Sequence, residues 1–213
     1  MIGDKILPKP HHKRAAGLIF ALLAETKADK KRLAITIAGE SGSGKSEIAA
    51  ELAACFEKDG RPTVIFQQDD YFFYPPKTNH QMRVKDIKHV GLTEVNLQLL
   101  NAHLEAFKLA PQKLIEKPLV VFEEDTVTRE TVNPADYSVL IAEGTYTTVL
   151  SSADVRVFID RTYEQTKEQR LERGRDRIDE FSEKVLLIEH NIISKHKKLA
   201  TIIVDSAFEV SAA

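Results

Sequence analysis

Residues Gly39-Glu40-Ser41-Gly42-Ser43-Gly44-Lys45-Ser46 fit the pattern G-x-x-x-x-G-K-[ST], which has its meaning only where a buried strand turns into a helix. Both flanks meet that demand. Arg32-Leu33-Ala34-Ile35-Thr36-Ile37-Ala38 is an apolar, β-branched run of strand length, and Glu47 to Phe56 is rich in Ala, Leu and Glu, all strong helix formers. Glycines at 39, 42 and 44 let the backbone take positive φ, so that successive N–H groups converge at the positive end of the helix. In such a loop Lys45 reaches the β- and γ-phosphates and the Ser46 hydroxyl ligates Mg²⁺. The segment from Gly39 to Ser46 thus predicts a nucleoside triphosphate site, the alternative being a glycine-rich turn with a solvated Lys45.

The chain has 213 residues and 43% hydrophobic content, enough to bury one α/β core, and a single domain over 1–213 is expected. Thirty basic and 32 acidic residues give a net charge of −2, and no global basic field marks nucleic acid as a partner. The lone Cys55 excludes an intramolecular disulfide and suits a reducing compartment. No apolar run approaches the ~18 residues a membrane span needs. Basic Lys9, Lys13 and Arg14 ahead of Ala15 to Ala24 imitate a secretory signal. Apolar residues at Ala15, Leu18, Ile19, Leu22 and Leu23 instead follow helical spacing, so residues 1–30 are read as a helical extension packed on the sheet, and the location as cytoplasmic. His11-His12 is read as a solvated turn, for want of a third ligand at useful spacing.

Further strands are expected at Thr63 to Gln67, Pro118 to Phe122, Tyr137 to Ala142, Val155 to Asp160 and Thr201 to Val204, with a small hairpin within Glu123 to Thr131. Helices are expected from Glu94 to about Phe107, N-capped by Thr93, over the charged stretch Thr162 to Asp179, and from Val185 to Lys197. Residues 68 to 91 carry no clear period and read as a long functional loop. Strands alternating with helices define a three-layer α/β sandwich with a mainly parallel sheet, in which ligands sit at the carboxyl ends of the strands.

That rule selects Asp69 and Asp70 after the second strand, Glu143 after the Tyr137 to Ala142 strand, and Asp160. One carboxylate can take the proton of an acceptor hydroxyl while another holds the Mg²⁺ shell. Asp69 is assigned the first role and Glu143, with Ser46, the second; a turn or N-cap carboxylate is the alternative for each, and the one favoured for Asp160. Lys167, Arg170, Arg173, Arg175 and Arg177 surround Gly174. They read either as a short helical lid bringing arginines over transferring phosphates, with Arg170, Arg173 and Arg175 as candidates, or as an exposed helix paired with Glu168, Glu172 and Asp176.

Taken together, these residues resemble the uridine kinase and phosphoribulokinase branch of P-loop kinases. Gln68-Asp69-Asp70-Tyr71-Phe72 is similar to the family's Q-D-x-F-Y segment, Ile141-Ala142-Glu143-Gly144 to its strand ending in E-G, Glu172-Arg173-Gly174-Arg175-Asp176 to its lid, and Lys198 to Ile203 to its closing strand. The resemblance implies a five-stranded parallel core, MgATP as donor, Asp69 as the acceptor-activating base and a hydroxyl of a small metabolite as acceptor. The nucleoside pocket of uridine kinases is not matched. Lys88-His89-Val90-Gly91-Leu92 stands in place of D-H-P-x-A, Val120-Val121 in place of a tyrosine and aspartate, and Val127-Thr128-Arg129 in place of H-S-R.

Lys77, Arg83, Lys85 and Lys88 face only Asp86 in their segment, with Arg129 nearby. They read as a clamp for an anionic acceptor or as a solvated loop. Two other readings of the whole chain stay open: a regulatory ATPase with a protein partner, and a degenerate kinase-like binding module. The oligomeric state is open as well.

Overall fold

A computed structural model describes residues 1–3, 6–27, 30–173 and 179–213, with Lys27 and Arg173 described by their backbone only. The elements run α1 (Pro10–Lys27), β1 (Leu33–Gly39), α2 (Lys45–Lys58), β2 (Thr63–Gln67), α3 (Pro76–Lys85), α4 (Leu97–Leu109), β3 (Ile115–Val121), β4 (Thr126–Val132), β5 (Val139–Glu143), β6 (Val155–Ile159), α5 (Lys167–Arg173), α6 (Glu180–Ile193), β7 (Ile202–Val204) and β8 (Val210–Ala212).

Six strands form one sheet in the order β2-β5-β1-β6-β7-β8. The first five are mutually parallel, and β8 pairs antiparallel with β7 at the edge. β1 is buried at every position, as a central strand covered on both faces must be. Its alternate residues divide between two cores. Leu33, Ile35 and Ile37 pack with Ala15, Ala16, Ile19 and Leu23 of α1 and Ile48, Leu52 and Phe56 of α2. Ala34 and Ala38 pack on the opposite side with Phe66, Leu100, Leu104, Phe107 and Ile193. This period of two produces the α/β/α sandwich expected from the sequence. Ile19 and Leu23 are almost fully buried, a contribution of about 1.5–3 kcal/mol each that docks α1 on α2.

Three local readings are corrected. Pro118 lies in β3, which pairs only with β4 as a separate two-stranded antiparallel sheet and takes no place in the parallel sheet. The expected hairpin is therefore larger, using residues 115 to 132. Residues 68 to 91 contain α3, which opens on Pro76 at its first position, where the missing N–H costs nothing. Thr93 lies in a short 3₁₀ turn, and the cap of α4 is Asn96, whose Oδ1 accepts from the Leu99 N–H at 3.0 Å.

Candidate active site

The carboxyl ends of β1, β5 and β2 lie side by side, with Ile37 in register with Glu143 and Glu143 with Gln67. The loop from Gly39 to Gly44 leaves β1 at this edge, and α2 begins at Lys45. Gly42 and Gly44 hold φ of 74° and 101°, and Gly44 is the N-cap of α2. Left-handed backbone at these two positions is one that glycine takes without strain. Lys45 Nζ donates to the Glu40 carbonyl at 2.9 Å, and the Ser43 N–H to the same carbonyl at 3.2 Å.

Ser46 and Glu143 are both buried, and the Ser46 hydroxyl donates to Glu143 Oε1 at 3.2 Å. A hydroxyl and a carboxylate brought together at a helix N-terminus are hard oxygen donors of the kind Mg²⁺ takes. The two residues named for the metal from sequence alone are thus adjacent.

Asp69 and Asp70 are sorted by burial. Asp70 is 1% exposed, bonded to Lys117 Nζ at 3.0 Å and to the Val120 N–H at 2.9 Å. Asp69 is exposed at the same strand end. Gln68, between β2 and Asp69, accepts from the Tyr146 N–H at 2.7 Å, which ties the segment carrying Asp69 to the turn after Glu143. Asp160 pairs with Lys197 at 2.6 Å, with both side chains substantially exposed.

Arg170 is 2% exposed and packs over the loop, so close that a Cβ on Gly42 would lie 2.7 Å from its Cγ. Its Nη2 donates to the Tyr163 carbonyl at 3.0 Å, and its buried Nε has no hydrogen-bond partner among the described residues. Thr166, one turn earlier, donates its hydroxyl to the Ser41 carbonyl at 2.7 Å. The start of the charged stretch is therefore clasped to the phosphate loop and is no freely solvated helix. The Arg173 side chain and all of Arg175 and Arg177 lie outside the described residues.

The basic segment from Lys77 to Lys88 is not a set of unengaged cations. Arg83 forks onto Glu94 with two bonds of 2.7 Å and also reaches Glu189 at 3.0 Å. Lys77 Nζ donates to the Glu123 carbonyl at 2.8 Å, and the exposed Arg129 pairs with Glu116. Lys85 and Lys88 are exposed.

Sequence reasoning missed His12, Tyr163, Thr166 and His190. His12 is buried, not part of a solvated turn: a Cβ on Gly44 would meet its Nε2 at 2.8 Å. Burial, with His11 beside it, holds its pKa at about 4 although Glu47 pulls the other way, so a neutral ring faces the loop. The helical spacing around Ala15 signalled that α1 packs on the core, but nothing in it said where the first turn would point.

The fold and this loop define a P-loop kinase. A family model described as Phosphoribulokinase / Uridine kinase family matches residues 34–203, and the chain belongs to that family. It is 28% identical over 189 residues to a bifunctional alpha-galactosidase/sucrose kinase of Mediterraneibacter gnavus, covering 82% of this chain but only 20% of that protein's length. A uridine kinase of Leuconostoc citreum is 29% identical over 194 residues, covering 84% of this chain and 90% of the relative. Among solved structures, a possible uridine kinase from Bacillus stearothermophilus superposes with a TM-score of 0.63 at 17% identity, covering 90% of this chain and 97% of that one. Phosphoribulokinase from Rhodobacter spheroides gives 0.64 at 13% identity, covering 83% and 71%. These two likenesses bear on the fold alone. The family implies ATP as the nucleotide, and no helix among the described residues is long and apolar enough to cross a membrane.

Proposed function

We propose that the chain acts as one kinase domain that transfers the γ-phosphoryl group of MgATP to a hydroxyl of a small neutral polyhydroxyl metabolite. The observation that carries this reading is the Ser46–Glu143 contact of 3.2 Å at the start of α2, with Asp69 two residues beyond the neighbouring strand. Ser46 and Glu143 would hold Mg²⁺, which when bound neutralises charge between the phosphates. Lys45, located at the Glu40 carbonyl, would meet the β- and γ-phosphates from there. Asp69 orients the acceptor hydroxyl and accepts its proton, and its exposed carboxylate at a strand end suits that task. Arg170 offers its buried Nε, without a hydrogen-bond partner among the described residues, beside Gly42 as charge spreads over the transferring group.

A neutral acceptor is favoured because Arg83, half-buried in the basic segment, is already met by Glu94 and Glu189. Sucrose and uridine, the acceptors in the names of two relatives, both offer sugar hydroxyls and head the panel of candidates.

The test is ADP release measured over sugars, sugar phosphates, nucleosides and hydroxy acids. One class should stimulate release strongly, and Asp69→Asn should abolish the stimulation while ATP binding by calorimetry persists. Acceptor-independent hydrolysis, unchanged in Asp69→Asn, would instead favour a regulatory ATPase. A preference for sugar phosphates would remove the neutral-acceptor assignment.

A further inference from the structure

Glu40 occupies the second position of the phosphate loop, and its carboxylate is 6% exposed. Its Oε2 accepts from the Tyr163 N–H at 2.6 Å, and its Oε1 lies 2.7 Å from Nδ1 of His190 on α6. The carbonyl of the same residue receives Lys45 Nζ and the Ser43 N–H. Glu40 is therefore a junction: its side chain is fixed from outside the loop, and its peptide fixes the loop lysine from within.

The helix that supplies His190 is itself anchored on the acceptor side. Glu189, the preceding residue, accepts from Arg83 at 3.0 Å, and Arg83 forks onto the fully buried Glu94. Glu94 also receives Asn79 Nδ2 and the Gly91 N–H, each at 2.9 Å. Phe181 at the start of α6 meets His80 of α3 edge to face, with centroids 5.6 Å apart. Two consecutive residues of α6 thus reach opposite ways, one to α3 and one to the phosphate loop.

We propose that His190 is a positioning residue for nucleotide binding: anchored through α6 to Arg83 on the acceptor side, it holds Glu40 so that the phosphate loop and Lys45 are set for the phosphates before they arrive. The role assigned to the imidazole acts through Glu40 and needs no contact with nucleotide or acceptor. Its effect is preorganisation, the removal of loop conformations in which Glu40 has swung away and its carbonyl no longer locates Lys45. This rests on the nucleotide reading of the loop.

The test is calorimetric titration of the protein with MgADP, which needs no knowledge of the acceptor. His190→Ala should weaken binding about tenfold, as expected for loss of a hydrogen bond to a buried carboxylate. His190→Asn, whose amide N–H takes the place of Nδ1–H, should recover affinity to within about threefold of the parent. Glu40→Ala should weaken binding as well, and the double variant with His190→Ala should lose far less than the product of the two effects. Glu189→Gln, which loosens the anchor on Arg83, should weaken MgADP binding in the same direction but less. Thermal midpoints are recorded for all variants, and a general folding role would make His190→Asn no better than His190→Ala at equal midpoint. Unchanged MgADP affinity in His190→Ala, or independent effects of His190→Ala and Glu40→Ala, overturns the assignment of His190 while leaving the kinase reading intact. Failure of the parent protein to bind MgADP overturns both.

Discussion

Lys117 Nζ lies 3.0 Å from Asp70 Oδ2, and both side chains are at most 4% exposed. The ammonium also reaches Glu130 at 2.9 Å and lies 5.8 Å from the Phe66 ring centroid. Of two adjacent aspartates one is consumed in this buried pair, which joins β3 to the end of β2, and the other stays exposed at the strand end. Lys117→Met should therefore cost about 2 kcal/mol in urea unfolding, because it removes one of the two ammonium groups that meet the buried Asp70 carboxylate, the Met1 amino group at 2.9 Å and the Val120 N–H remaining. Asp69→Asn should change stability by less than about 0.5 kcal/mol. Equal effects of the two substitutions would contradict this division of roles.

Gly42 and Gly60 have nearly the same backbone, with φ of 74° and 73°, in different surroundings. A Cβ on Gly60 meets nothing within 4 Å, whereas one on Gly42 falls 2.7 Å from Arg170 Cγ and 3.1 Å from Thr166 Cβ. Gly60→Ala should cost about 1 kcal/mol, the backbone strain alone. Gly42→Ala should cost about 1–3 kcal/mol more as α5 is pushed off the loop, and MgADP affinity should fall with it. Matching unfolding curves for the two variants would show that Arg170 does not pack as described.

His103 is buried on α4 and shares a 2.9 Å hydrogen bond with the Tyr71 hydroxyl. Burial, and then the charge of Lys117, lowers its pKa to about 4. The unfolded chain takes up this proton near pH 6.5 and the native protein only near pH 4. The native state thus binds fewer protons in that window, so the stability is complete above pH 6.5 and is lost as pH falls toward 4. By pH 5 the loss assignable to His103 should be on the order of 1 kcal/mol, allowing for solvent screening. The stability difference between pH 7 and pH 5 should shrink by that amount in His103→Asn. An unaltered difference would assign the slope elsewhere, with His12 the next group to examine.

The strands of the parallel sheet were legible because each is a short β-branched run flanked by breakers, and the pull of burial on such runs is local. That Ser46, Asp69 and Glu143 lie at one edge of the sheet was legible because each follows a strand recognisable by its own composition. What escaped is long-range or lacks a period. α3 has few apolar residues, and Pro76 at its start resembled a loop breaker. Thr93 and Asn96 are both plausible caps, and the backbone chose between them by turning once more at Leu92–Glu94. Arg83 looked like a clamp because its partners Glu94 and Glu189 stand 11 and 106 residues away. The Glu40–His190 contact spans 150 residues, and no spacing rule reaches that far.

The hairpin of β3 and β4 satisfies its own backbone ladder and borrows no strand from the parallel sheet. Its exposed residues, Glu116 and Thr126 to Thr131, can therefore change without disturbing the strand ends near Lys45, Asp69 and Glu143, whereas Ile115, Val132 and Lys117 are tied to the core and to Asp70. Such a partition lets the exposed face of the hairpin change in sequence while the pairing of the parallel strands is inherited intact.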